Sequence, residues 1–258
     1  MSEKRYKYIY GPVPSWRLGR SLGVDPVSKG RKVCSFDCNY CQLQKKSLLI
    51  GERKLFIECK DIIKEINSLP SLEIDYITFS GAGEPTLAAN LGEMIKEVKQ
   101  IRREKIAVIT NSSLLYKKDV QEDLMLADFV MAKLDAPTQE VLSAINSPVE
   151  TITMKHIISG IKEFRRKYKG KLALQIMFIE QNRALASEIA EIARNIHPDE
   201  VQINTPLRPC KVKPLSEPEL NRIEDCFFGL NTLSVYRAEK RKIKSISDDD
   251  TLARRGKV

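Results

Sequence analysis

Long apolar runs are missing from this chain of 258 residues. None approaches the roughly 18 consecutive apolar residues that mark a membrane-spanning helix, so no membrane contact is expected. The opening segment MSEKRYKYIYGPVPSW also lacks the apolar stretch of a secretory signal. A cytoplasmic protein follows as the expectation. No internal repeat, low-complexity tract or linker-like stretch divides the sequence, which argues against a string of modules. Histidine is scarce: His156 and His197 are the chain's two, both in segments of helical or turn pattern.

What is present fits a folded globular protein. Hydrophobic residues make up 42% and charged residues 30%, which excludes an intrinsically disordered chain. The length suffices for a full core of the α/β-barrel type. Lysine and arginine outnumber acidic residues 43 to 34, a formal charge of +9. Such a surface attracts polyanions, RNA among them, and acidic protein partners; a solvated lysine-rich surface is the plainer alternative. The excess gathers near the C terminus, in Arg237, Lys240, Arg241, Lys242, Lys244, Arg254, Arg255 and Lys257, interrupted by Asp248, Asp249 and Asp250.

Apolar periodicity alternates between strand and helix. Strands are expected at 21–25, 74–80, 106–110, 128–134, 172–179 and 201–205. Helices are expected at 59–68, 88–103, 117–127, 137–145, 153–168, 184–196 and 218–228. Strands alternating with helices imply parallel βαβ units. Six strands point to a partial (β/α)6 barrel of parallel strands spanning 21–210. A lead-in at 1–20 precedes it, and a C-terminal helix with a basic tail at 211–258 follows. The lead-in GPVPSWRLGRSLG reads as a fixed loop in which Arg17 or Arg20 grips a phosphate or carboxylate, or forms a surface ion pair.

Three of the six cysteines, Cys34, Cys38 and Cys41, fall within eight residues in VCSFDCNYCQLQ. A cubane iron–sulfur cluster is usually held by four thiolates, so three leave one iron open to a substrate or cofactor. Zinc is the alternative, but its sites need a fourth cysteine or a histidine close at hand. Cys59, Cys210 and Cys226 are widely spaced and read as buried or free thiols. The run Cys34-Ser35-Phe36-Asp37-Cys38-Asn39-Tyr40-Cys41, with an aromatic before the last cysteine, resembles the radical S-adenosylmethionine (radical SAM) superfamily. Thr78-Phe79-Ser80-Gly81-Ala82-Gly83-Glu84-Pro85-Thr86 resembles that family's GGEP segment, with Ala82 as the departure.

The resemblance implies a 4Fe–4S cluster on Cys34, Cys38 and Cys41. Its fourth iron chelates S-adenosylmethionine, a low-potential donor supplies one electron, and a 5′-deoxyadenosyl radical abstracts hydrogen from a substrate. Tyr40 would lie beside the adenine or simply pack the loop, with Phe36 a weaker candidate of the same kind. Gly81, Ala82, Gly83 and Glu84 would receive the methionine amino group. Lys133 and Asp135 share one side of a strand, so they are candidates for the methionine carboxylate and the ribose; Asn111 is a further polar contact. These residues all fall at expected strand ends, where α/β folds place ligands.

The lead-in and CSFDCNYCQL resemble iron–sulfur oxidoreductases related to wybutosine-synthesis enzymes, which modify transfer RNA. No cysteine precedes Cys34, whereas that RNA-modifying family carries an extra N-terminal set. A glycyl-radical enzyme activase acting on a protein partner is the second reading. A non-catalytic, metal-stabilised RNA-binding protein is the third.

Overall fold

The computed structural model describes residues 5–27, 30–43, 47–238 and 243–255. Of the basic residues noted near the C terminus, Lys240, Arg241, Lys242 and Lys257 lie outside them. Among the described residues no helix is long and apolar enough to cross a membrane.

The chain opens with a hairpin, β1 (Ile9–Ser15) and β2 (Gly19–Val24), paired antiparallel with a bulge between Tyr10 and Val13. Two short strands, β3 (Lys32–Cys34) and β4 (Ser47–Leu49), form a separate parallel pair around the cysteine loop. Strands and helices then alternate: α1 (Cys59–Asn67), β5 (Tyr76–Phe79), α2 (Leu91–Ile101), β6 (Lys105–Thr110), α3 (Lys118–Leu124), β7 (Phe129–Lys133), α4 (Gln139–Asn146), α5 (Met154–Lys167), β8 (Lys171–Met177), α6 (Ala186–Ile196), β9 (Glu200–Asn204), α7 (Glu217–Asp225), β10 (Thr232–Ser234) and α8 (Asp248–Arg255). The main sheet has eight strands in the order β1-β2-β5-β6-β7-β8-β9-β10, parallel from β2 onward. It curls into a half-barrel. The six expected strands are its middle six.

Period-2 alternation fixes the two faces. Leu22, Ile77, Val108, Val130, Leu174 and Ile203 pack with the helices in one large core. Their neighbours face the concave side, where Leu18 from the hairpin turn packs on Ala107, Phe129, Met131 and Ala173. The helices follow the same logic. In α5, Met154, Ile157, Ile161 and Phe164 make the buried stripe, the Thr153 hydroxyl accepts from the His156 amide at 3.2 Å, and Arg165, Arg166 and Lys167 sit at the C-terminal end of the dipole. Burying each large apolar side chain contributes about 1.5–3 kcal/mol.

Two segments differ from expectation. The lead-in is not a loop: its Gly-Pro punctuation sits on an edge strand, where a missing N–H is harmless. Within the C-terminal basic stretch, Asp248–Arg255 form a packed helix. Helix α8 lies on β1, with the Thr251 hydroxyl accepting from the Gly11 amide at 3.0 Å and the Arg254 side chain 10% exposed.

Candidate functional site

The cysteine loop is fastened to the C-terminal end of α4. The amides of Asp37 and Asn39 donate to the carbonyls of Asn146 and Ile145, each at 2.9 Å. The Ser35 carbonyl accepts from the Val149 amide at 2.9 Å. The last carbonyls of a helix lack partners within it, so the loop completes α4 and α4 fixes the loop. Side-chain amides then reach two of the thiols. Asn111 Nδ2 stands 3.6 Å from Cys34 Sγ, and Asn146 Nδ2 stands 3.3 Å from Cys38 Sγ.

Tyr40, Lys133 and Asp135 meet in one network. The Tyr40 hydroxyl donates to Asp135 and accepts from Lys133 Nζ and Asn146 Nδ2, each at 2.9 Å. Lys133 Nζ also lies 4.5 Å above the Tyr40 ring. The Asp135 carboxylate takes two more donors, the Met177 amide at 2.8 Å and Asn146 Nδ2 at 3.0 Å. Burial, then the charge of Asp135, pushes the Tyr40 phenol well above its ordinary value, so it stays protonated. The network ties Tyr40 to the end of β7 and to α4.

Gly81, Ala82 and Gly83 form the turn after β5. Ala82 donates its amide to Asp25 at 2.9 Å and accepts from the Val33 amide at 3.0 Å. Gly83 has to be glycine, since a Cβ there would stand 1.9 Å from the Val33 carbonyl oxygen. The turn and the cysteine strand therefore touch backbone to backbone. Glu84 is buried and fully engaged: its carboxylate accepts from the Asn111 amide at 2.6 Å and from the Thr86 and Thr110 hydroxyls at 2.7 Å. Burial raises its pKa, and these donors pull it partly back. In this arrangement Glu84 braces Asn111. Asn111, Lys133, Asp135 and Asn146 line one small hollow together with Phe36, so the ends of β6 and β7, the cysteine loop and the end of α4 meet there.

Two residues escaped the sequence reading. Asn146 bonds the loop, the tyrosine and the aspartate; its one sequence signal is a polar residue at the buried face of α4 beside Leu142 and Ile145. Lys32 shares a side of β3 with Cys34, and its side chain is only 4% exposed. Burial works to lower its pKa, but the negative charge of Cys41, Cys34 and Cys38 as thiolates, with the Asp37 carboxylate at 3.2 Å, raises it overall.

The donor set fits an iron–sulfur cluster. All three thiols are free, amide donors face two of them, and a buried cation stands by. Burial pushes Cys34 up to about 12, so without a metal it stays a neutral thiol. A single zinc ion fits poorly. Among the described residues no three cysteine, histidine or carboxylate side chains converge on one ion, whereas a cluster spreads its thiolates over separate irons. His156 stacks on Tyr116 at 4.5 Å, and His197 caps α6 in a left-handed conformation. Cys59 belongs to the large core, and Cys210 packs near Tyr40 and Met177. Arg20 forms a surface ion pair with Asp75 at 2.7 Å.

Comparisons with known proteins agree with this arrangement. The model of the Radical SAM superfamily matches residues 31–196. The UPF0026 protein slr1464 of Synechocystis sp. is 42% identical over 208 residues, 80% of this chain and 77% of that protein. Among solved structures, Streptococcus suis SuiB bound to S-adenosylmethionine has a similar fold, with a TM-score of 0.61 at 15% identity over 83% of this chain and 47% of SuiB. Archaeal TYW1 gives 0.54 at 16% identity, over 82% of this chain and 72% of that one. The chain therefore belongs, with the UPF0026 proteins, to the radical SAM superfamily of enzymes.

Proposed function

We propose that Cys34, Cys38 and Cys41 hold a 4Fe–4S cluster and that S-adenosylmethionine binds beside it, at the C-terminal ends of the strands. When bound and reduced, the pair supplies a 5′-deoxyadenosyl radical that takes hydrogen from a substrate. The observation that carries this reading is the cysteine loop itself. Three free thiols sit at the C-terminal edge of a parallel half-barrel, with Asn111 and Asn146 directed at two of them.

The chain's own residues hold the loop, balance charge and orient the cofactor. Lys32 offsets part of the negative charge that three thiolates bring. Amide donors to sulfur stabilise the thiolate form and tune the cluster's potential. Gly81, Ala82 and Gly83 bring backbone close to the methionine end, and Glu84 holds that turn from below. Lys133 is the cation for the methionine carboxylate. Asp135, aligned by the Met177 amide, is the acceptor for the ribose. Tyr40 keeps the loop seated against α4 and shields this side from water.

The reaction needs a low-potential electron donor. Its substrate is a transfer RNA or a protein in the two readings that the sequence motifs favour. SuiB has been solved with the precursor peptide SuiA, and TYW1 has a similar fold; neither likeness decides for this chain. The test is anaerobic reconstitution with iron and sulfide, followed by S-adenosylmethionine and a strong reductant. The expected outcome is 5′-deoxyadenosine, with iron content and product both lost in Cys34→Ala, Cys38→Ala and Cys41→Ala. Full iron retention in those variants refutes the assignment.

A further inference from the structure

The concave side holds a group of arginines that the cofactor does not account for. Arg17 rises from the β1–β2 turn, Arg208 follows β9, and Arg255 comes from α8. Arg255 donates to the Pro14 carbonyl at 3.3 Å, and Arg208 donates to the Arg255 carbonyl. Arg17 lies with its guanidinium carbon 4.6 Å over the Trp16 ring. Its Nε and Nη1 are shielded from solvent and have no hydrogen-bond partner.

Buried guanidinium donors without acceptors are costly, and in native proteins they usually mark a ligand or ion. The surrounding charges do not neutralise the group. Glu200 acts on Arg17 but is already bound to Lys171 at 2.7 Å and Gln202 at 2.8 Å. Asp25 lies 3.9 Å from Arg254 and accepts from Ala82. Burial lowers both Arg17 and Arg208 to about 10; Arg208 and Arg255 push Arg17 the same way, and Arg255 pushes Arg208 the same way. Tyr10 adds a phenol that feels both Arg255 and Arg208 and bonds Ser80 at 2.7 Å.

We propose that Arg17, Arg208 and Arg255 form a receptor for an oxyanion group, a phosphate or a carboxylate, carried by the substrate. The assignment rests on the radical SAM reading above and deepens it. Planar guanidinium forks pair with either oxyanion in two-point fashion.

Calorimetric titration of the reconstituted full-length protein tests this with inorganic phosphate and with succinate, each against sodium chloride at matched ionic strength. Saturable binding of either oxyanion is expected, weakened at least about tenfold by Arg17→Gln and by Arg208→Gln, the loss of a charge-assisted contact. The same affinity should survive in Arg20→Gln. Phosphate alone identifies a phosphorylated substrate; succinate alone identifies a carboxylate. Thermal unfolding checks that each variant is folded, and Arg208→Gln decides if Arg17→Gln is not. Binding no stronger than chloride, equal binding in the variants, or one-for-one displacement by S-adenosylmethionine overturns the assignment. Wild-type protein that forms 5′-deoxyadenosine yet binds neither oxyanion leaves the radical chemistry standing and removes only the receptor.

Discussion

Replacing Tyr40 by Phe isolates one oxygen atom at the centre of the site. The ring is 4% exposed, and phenylalanine fills the same volume, so packing is retained. The hydroxyl, however, donates to Asp135 and accepts from Lys133 and Asn146. Its loss leaves Asp135 with Met177 and Asn146 as donors and leaves the Lys133 ammonium without its 2.9 Å acceptor. Hydrogen bonds to charged groups contribute about 1.5–3 kcal/mol each, and partial compensation among the survivors brings the net cost to about 2–3 kcal/mol. At about 2–4 °C per kcal/mol for a chain of this size, the unfolding midpoint should fall by about 5–10 °C. Tyr236→Phe is the control. Its hydroxyl donates to the Leu215 carbonyl at 2.7 Å, a neutral bond with a net contribution nearer 1 kcal/mol. Scanning calorimetry on the cluster-free protein reads both. A Tyr40→Phe midpoint within 1 °C of wild type would refute the network as a source of stability.

Three further outcomes follow from the same geometry. Gly83→Ala sets a Cβ against the Val33 carbonyl at 1.9 Å; the cysteine strand must move away from the turn, and both the unfolding midpoint and iron retention should drop. Arg53→Met removes the guanidinium that donates to the Thr86 and Ala88 carbonyls and pairs with Asp119 and Asp123. The Arg53 side chain is 9% exposed while Asp123 and Asp119 are 20% and 60% exposed, so losing these charge-assisted bonds should cost about 1.5–3 kcal/mol, readable in urea. Burial, helped by Glu93 and Glu97, pushes the Cys59 thiol up to about 11. Iodoacetamide at pH 8 should therefore label Cys226 well before Cys59, and Cys59 reactivity should climb between pH 9 and 11. Equal labelling at pH 8 would contradict its burial.

The middle of the fold was legible because its determinants are local. Apolar runs such as Ile106–Ile109 and helical stripes such as Leu91, Met94, Ile95 and Val98 declare their elements within a dozen residues. The same holds for the cysteine spacing. Strand β1 was hidden by Gly11, Pro12 and Pro14, which punctuate a loop and an edge strand alike. Strand β10 is three residues long and acquires its identity only by pairing with β9. Asn146 was hidden for a different reason: its three partners come from the cysteine loop and the end of β7, over 100 residues away for Tyr40 and Cys38.

That contrast divides the concave side by how it is encoded. The proposed cofactor end rests on Cys34–Cys41 and Gly81–Glu84, two short segments defined by spacing along the chain, so a motif reveals it. The arginine end rests on residues 17, 208 and 255, which meet only because α8 lies on β1 and because the loop after β9 turns toward them. No window of sequence contains them together. If the superfamily's shared chemistry is held by the first kind of encoding and substrate choice by the second, exchanges at the arginines should alter which anion binds and leave iron content unchanged. Exchanges at the cysteines should do the reverse. Iron analysis and anion titration on both sets of variants would separate the two ends, and loss of iron in Arg208→Gln would refute the division.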